Sequence, residues 1–119
     1  MEKSDPLARF NPVVADWFRA TLGMPTPAQV LGWPSIAAGQ HTLILAPTGS
    51  GKTLAAFLWA LDLLLTQPPE PSLPSVHTLY LSPLKALGYD IERNLQVPLQ
   101  GIQALGRARG IALPEVRVG

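Results

Sequence analysis

The most informative absence from this chain of 119 residues is cysteine, of which it has none. Without thiols it can form neither a disulfide framework nor a Cys-ligated zinc site, and this composition is typical of a reducing interior. Charge is also scarce: 14% of the residues are charged, with 9 Lys and Arg against 8 Asp and Glu. This balance does not indicate a partner that is held mainly by bulk charge of one sign.

Long apolar runs are missing as well. The longest extends from Leu54 to Leu65 and contains Asp62, which makes it shorter than the ~20 residues that span a bilayer. The first residues, Met1 to Pro6, are polar and lack the apolar core of a secretory signal. We therefore expect a cytoplasmic protein with no membrane partner, in which the run after Leu54 forms a helix buried inside a domain.

What the chain does contain is a predicted phosphate-binding loop. It consists of Ala46, Pro47, Thr48, Gly49, Ser50, Gly51, Lys52 and Thr53. An apolar run precedes the loop and a helix-forming run follows it, which is the context that such a loop requires. The turn points successive backbone N–H groups into one concavity, and the start of the helix adds further donors. We predict that these eight residues bind ATP.

Two residues of the loop carry its chemistry. Lys52 supplies a cation for the β- and γ-phosphates and is the predicted catalytic residue. The hydroxyl of Thr53 is the predicted ligand of Mg²⁺, an ion that bridges phosphate oxygens. ATP and Mg²⁺ are therefore the expected cofactors.

Proline, glycine and apolar periodicity divide the chain into alternating elements. They predict helices over residues 12–22, 28–33, 34–38, 52–66, 84–96 and 99–109, and strands over residues 41–45, 76–81 and 115–118. This order predicts an α/β fold, with a parallel sheet and crossover helices preceded by short N-terminal helices. We predict a helical segment over residues 1–39 and an incomplete ATP-binding domain over residues 40–119.

Three segments resemble motifs of the superfamily 2 helicases. Residues 46–53 are similar to motif I, and residues 25–29 (Pro-Thr-Pro-Ala-Gln) are similar to the Q motif of the DEAD/DEAH-box proteins. Residues 80–87 (Tyr-Leu-Ser-Pro-Leu-Lys-Ala-Leu) are similar to motif Ia. With Gly32-Trp33-Pro34 after the Q motif, the chain resembles the Lhr (large helicase-related) group in particular, and the likeness covers residues 10–119.

The resemblance implies a partial RecA-like P-loop NTPase domain and roles for further residues. Gln29 would read the adenine edge through its amide, which donates and accepts at once, and an upstream aromatic such as Phe10 would stack on the base. Ser82 and Lys85 would contact the sugar-phosphate backbone of a nucleic acid, single-stranded or duplex. The resemblance favours DNA over RNA.

The chain also departs from the helicase pattern. It has no Asp-Glu-x-His or Asp-Glu-x-Asp segment, the segment in which Asp holds Mg²⁺ and Glu activates water, and a second RecA-like domain is missing. We therefore expect the N-terminal fragment of a helicase core that binds ATP with negligible hydrolysis. The alternatives are another small P-loop enzyme, such as a nucleotide kinase, and a non-catalytic interaction module.

Overall fold

The computed structural model describes residues 5–47, 51–66, 77–79, 81 and 85–116, and of residues 85–94 it describes the backbone alone. Four helices occupy most of this part of the chain: α1 (Pro12–Leu22), α2 (Pro27–Ala37), α3 (Lys52–Thr66) and α4 (Lys85–Ala108). The chain divides into two compact units, Met1–Asp62 and Leu63–Gly119. The division predicted after residue 39 falls within the first of these units and stays a prediction.

Helix α1 has the bounds that its sequence predicts. The side chain of Asn11 accepts a hydrogen bond from the N–H of Val13, and Pro12 opens the first turn, where its missing N–H has no partner to lose. The helix ends at Gly23, whose φ of 80° brings its N–H back to the carbonyls of Phe18 and Arg19. Caps at both ends therefore stop this helix as well as start it.

Helices α2 and α4 each run through a proline at which we predicted an interruption. Pro34 lies inside α2 and Pro98 lies inside α4. A proline within a helix removes one backbone hydrogen bond and costs about 3 kcal/mol. Burial offsets this local penalty: Trp33 on α2 and Leu99 on α4 are at most 3% exposed.

The prediction of a parallel sheet is wrong for the part of the chain that the structure describes, and with it the α/β fold class. Residues 41–47 are irregular, and the described residues of the other two predicted strands, 77–79, 81 and 115–116, carry no strand either. A β-strand exists only where its backbone pairs with a neighbour, whereas an apolar run reports only local preference. The remaining residues of those two predictions, and the proline-rich stretch 67–75, lie outside the described residues.

The core of the first unit is aromatic. The rings of Phe10 and Trp33 pack edge to face with centroids 4.8 Å apart, and those of Phe10 and Trp59 do so at 5.6 Å. The ring of Phe18 also packs edge to face against that of Trp33, with centroids 5.7 Å apart. These edge-to-face pairs hold α1, α2 and α3 around one buried indole, that of Trp33.

The second unit is built on one face of α4. Leu95, Leu99 and Ile102 are buried, and they recur every three or four residues, as expected for one side of a helix. After α4 the chain turns back, and the N–H of Ile111 donates to the carbonyl of Gly106 at 2.8 Å. A Cβ on Gly106 would lie 2.6 Å from Leu113 Cδ1, so a larger residue there would force the Leu113 side chain to move. Among the described residues no helix is long and apolar enough to cross a membrane.

Candidate nucleotide-binding site

The start of α2 is fixed by Thr26 and Gln29, which cap it reciprocally. The Thr26 hydroxyl accepts a hydrogen bond from the Gln29 N–H at 3.4 Å, and Gln29 Oε1 accepts one from the Thr26 N–H at 2.9 Å. This capping box satisfies two backbone donors that a helix start would otherwise leave open. The Gln29 side chain is thereby locked, and the residue is only 2% exposed.

The same amide reaches the predicted phosphate-binding loop. Gln29 Nε2 donates to the carbonyl oxygen of Gly51 at 3.2 Å, a bond between residues 22 positions apart in sequence. The Gly51 carbonyl also accepts the Ala55 N–H at 3.0 Å, so it belongs to the first turn of α3. Gly51 has a φ of 77°, and a Cβ there would lie 2.4 Å from Gln29 Nε2. Both the backbone angle and the close approach therefore require glycine.

Two further contacts tie α2 to the surroundings of the loop. The indole N–H of Trp33 donates to the carbonyl of Leu54, in the first turn of α3, at 3.4 Å. Gly32 faces Ile44, and a Cβ on Gly32 would lie 3.0 Å from Ile44 Cδ1. Helix α2 consequently contacts the chain both before and after the predicted loop.

Lys52 and Thr53 are the first two residues of α3. The Lys52 side chain is exposed, and Thr53 is half-buried. Backbone N–H groups in the first turn of a helix lack partners within the helix, and they sit at the positive end of its dipole. An exposed cation beside these donors forms an arrangement that can hold an anion such as a phosphate.

The remaining loop residues divide into two groups. Ala46 and Pro47 lie in the irregular segment that leads into the loop. Thr48, Gly49 and Ser50 lie outside the described residues. Within the described ranges the structure shows no group of three or more His, Cys, Asp or Glu side chains placed to hold a metal, so Thr53 stays the predicted Mg²⁺ ligand from the motif alone.

A buried carboxylate lies further along α3. Asp62 is 4% exposed, and its Oδ1 accepts the backbone N–H of Asn11, the residue that caps α1, at 2.7 Å. Burial raises the pKa of the Asp62 carboxyl, while the hydrogen bond from Asn11 acts in the opposite direction. Asp62 therefore links the helix after the loop to the start of α1.

Of two further sites implied by the family resemblance, the structure describes the first in full. Phe10 is 5% exposed and packs against Trp33 and Trp59, so its ring belongs to the core and does not offer a face to a base. Ser82 lies outside the described residues, and of Lys85 only the backbone is described, as the first residue of α4. The nucleic-acid contact of these two residues stays a prediction.

The sequence analysis did not predict the two structural contacts of Gln29, the capping box with Thr26 and the bond to Gly51. The pattern Thr26-x-x-Gln29 is the sequence signature of a capping box, so this part was visible in the sequence. The bond to Gly51 was not, because nothing local predicts which of the following residues a helix-start glutamine will contact.

Comparison with known proteins identifies the class. The model of the DEAD/DEAH box helicase family matches residues 26–112. A Lhr helicase/probable uracil glycosylase from Mycolicibacterium smegmatis is 50% identical over 116 residues, which cover 98% of this chain and 8% of the relative. A Lhr helicase/uracil glycosylase from Escherichia coli is 46% identical over 115 residues, which cover 92% of this chain and 8% of the relative.

Solved structures give the same result. The structure of Mycobacterium smegmatis helicase Lhr bound to ssDNA and AMP-PNP matches with a TM-score of 0.89 and 47% identity, over 98% of this chain and 14% of that one. This chain belongs to the DEAD/DEAH box helicase family. The resemblance to the Lhr group is confirmed, and the chain spans 8% of the length of each of the two curated relatives.

Proposed function

We propose that this chain binds ATP with Mg²⁺, and a strand of nucleic acid, as the nucleotide-binding part of an Lhr-type helicase. One observation carries the proposal: Gly51, at a φ of 77° and bonded to Gln29, places Lys52 and Thr53 at the start of α3. Because the family is one of helicases, the nucleotide-kinase alternative loses its support. The remaining alternative is a non-catalytic module that has kept the loop sequence without nucleotide binding.

The residues present fit the phosphate end of ATP. The Lys52 ammonium and the first-turn N–H groups of α3 supply positive charge and donors, and the Thr53 hydroxyl is a hard oxygen ligand of the kind that Mg²⁺ takes. When bound, Mg²⁺ would neutralise charge on the phosphate oxygens. The solved Lhr helicase that resembles this chain holds AMP-PNP, which supports ATP as the nucleotide.

Recognition of the adenine by Gln29 is part of the proposal. A carboxamide has two donor hydrogens and two acceptor lone pairs. The bonds to Thr26 and Gly51 use one of each, which leaves the amide chemically able to pair with a base edge as well. Because Gln29 is only 2% exposed, a base would reach its amide only through the small part of the side chain that is open to solvent.

A nucleic-acid strand is the proposed second ligand, through Ser82 and Lys85. The structural relative was solved with ssDNA bound, which supports DNA over RNA and a single strand over a duplex. A backbone contact by Lys85 would be electrostatic and therefore dependent on salt concentration.

Reciprocal lysine variants test the proposal on the 119-residue chain. Lys52→Ala should weaken AMP-PNP binding in the presence of Mg²⁺ by about 10- to 100-fold, the scale of one hydrogen bond to a charged group, and should leave binding of an oligo-dT strand unchanged. Lys85→Ala should do the reverse, and should lower the slope of log affinity against log salt by about 0.7. Titration calorimetry measures the nucleotide, and fluorescence anisotropy measures the strand.

Three results would contradict parts of this proposal. Equal AMP-PNP affinity of the wild type and Lys52→Ala would favour the non-catalytic module. An unchanged salt slope in Lys85→Ala would remove that residue from the strand contact. Tighter binding of oligo-U than oligo-dT would reverse the assignment of DNA.

A further inference from the structure

We propose that Trp33 is a positioning residue for the phosphate-binding loop: with Gly32, it sets where the two flanks of the loop lie. The inference rests on the proposed function, because it concerns the same nucleotide. Trp33 would touch no part of the ligand. It would act through α3, whose first residues are Lys52 and Thr53.

The buried face of α2 meets the loop region at three points. Gln29, Gly32 and Trp33 are its buried residues, and the spacing of three and four places them on one side of the helix. Gln29 bonds to Gly51, at the end of the loop. Gly32 contacts Ile44, ahead of the loop, and Trp33 bonds to Leu54, beyond it. A single rigid face therefore sets the spacing between the approach to the loop and its exit.

The direction of the Trp33 N–H is fixed by its surroundings. The residue is 0% exposed, and its ring packs edge to face against those of Phe10 and Phe18, at centroid distances of 4.8 and 5.7 Å. A fully buried ring with two aromatic neighbours cannot turn its N–H away without disturbing the core. Its acceptor, the Leu54 carbonyl, lies two residues after Lys52 in sequence. The bond therefore fixes the first turn of α3, where Lys52 and the backbone N–H groups of the helix N-terminus would bind the phosphates.

Gly32 positions the other flank through its close approach to Ile44. A Cβ at this position would lie 3.0 Å from Ile44 Cδ1 and 3.6 Å from Ile44 Cγ1. A methyl group on α2 would therefore require the Ile44 side chain, and with it the approach segment, to shift by a few tenths of an ångström. Small displacements of this kind matter where charged groups must converge on one ligand.

A pair of matched substitutions tests the role of Trp33. Trp33→Phe keeps most of the ring and removes the N–H. Trp59→Phe makes the same change in the same aromatic cluster, at a residue whose indole N–H bonds to none of the described residues. Trp33→Phe should weaken binding of both AMP-PNP and inorganic tripolyphosphate by about 2- to 10-fold, the scale of one neutral hydrogen bond. Trp59→Phe should bind both as the wild type does.

Stability must be measured in parallel, by urea unfolding. A purely structural role would make affinity follow stability in both variants, so equal weakening in Trp33→Phe and Trp59→Phe would overturn the positioning role. Unchanged affinity in Trp33→Phe would overturn it as well. Failure of the wild-type chain to bind either probe is a different result, since it would defeat the proposed function and the positioning role together.

A second pair keeps the test open if Trp33→Phe does not fold. Gly32→Ala should weaken AMP-PNP binding by about 2- to 10-fold, the scale of coupling between residues in contact. Adding Ile44→Val, which removes the clashing Cδ1 atom, should restore it, while Ile44→Val alone should bind normally. Wild-type affinity in Gly32→Ala, or no recovery in the double variant, would overturn the inference.

Discussion

Two neighbouring stretches of this chain reverse the usual relation between polarity and burial. In α2 the polar side chain of Gln29 is 2% exposed, whereas Leu43 and Leu45, in the segment that follows, are 83% and 85% exposed. The glutamine is buried because Thr26 and Gly51 satisfy its amide. The leucines stay exposed because their segment is irregular, has no strand pairing among the described residues, and leaves even Ile44, between them, half-buried. Burial here follows from the partners that a residue finds, and not from its own hydrophobicity.

The largest effect on stability should come from a substitution in the buried part of α2. Trp33→Ala removes the ring around which the aromatic core is packed, and we expect it to lower the free energy of unfolding by about 3–5 kcal/mol. Leu45→Ala, at an exposed position, should change it by less than about 0.5 kcal/mol. Urea unfolding followed by circular dichroism measures both. Comparable losses in the two variants would mean that Leu45 is packed in solution, against the contrast drawn above.

A smaller effect separates backbone strain from contact with Gln29. Gly51 and Gly39 have nearly the same backbone angle, with φ of 77° and 76°, but a Cβ would meet Gln29 at the first and nothing within 4 Å at the second. Gly39→Ala should therefore cost only the strain of a left-handed residue, about 1–2 kcal/mol. Gly51→Ala should cost that amount and, for crowding, about 1–3 kcal/mol more.

The Gln29→Ala background provides the control. With the amide removed, Gly51→Ala should cost no more than Gly39→Ala, because only the strain remains. If the excess cost of Gly51→Ala persists in this background, the crowding comes from another neighbour, and Thr26 Oγ1, at 3.2 Å from the same Cβ position, is the candidate.

Elements with local signals were predictable from the sequence, and elements without them were not. Pro12 and Gly23 predict the two ends of helix α1, and its apolar run predicts the range 52–66 of α3; both helices are confirmed. Pro34 and Pro98 predicted interruptions that do not occur. The energetic cost of a proline in a helix is local, whereas the burial that offsets it depends on tertiary packing, which the sequence does not show. The described residues of the predicted strands carry no strand for a related reason: pairing is a property of two segments, and residues 41–45 reveal only one.

The site shows the same division. The family resemblance assigned Gln29 and the phosphate-binding loop, residues 46–53, to the same nucleotide, and the structure joins Gln29 to one residue of that loop, Gly51. The role that the resemblance implied for Gln29, contact with the base, stays a prediction. The amide bonds that the structure adds could not be deduced, since they depend on how α2 packs against α3. The same holds for the contact between Trp33 and Leu54.

The smallest effect concerns Asp62, a second buried polar side chain in the first unit, which unlike Gln29 can carry charge. Its pKa is raised by burial, so the folded chain holds the proton more tightly than the unfolded chain does. The stabilisation from this proton is complete below the ordinary carboxyl pKa of about 3.9, and it is lost as the pH rises through the raised value. Asp62→Asn, whose amide oxygen can still accept the Asn11 N–H, should remove that pH dependence.

We therefore expect Asp62→Asn to be at least as stable as the wild type at neutral pH and to lose this advantage as the pH falls toward 4, as measured by urea unfolding across that range. Asp5→Asn is the control. The hydrogen bond from the Leu7 N–H, the largest influence, lowers the pKa of the exposed Asp5 carboxyl, so its contribution to stability has the opposite sign and is lost as the pH falls. Parallel stability profiles for the wild type and Asp62→Asn would mean that Asp62 is solvated when ionised. The burial of Asp62 would then not depend on its hydrogen bond from Asn11, whereas the burial of Gln29 depends on its bonds to Thr26 and Gly51.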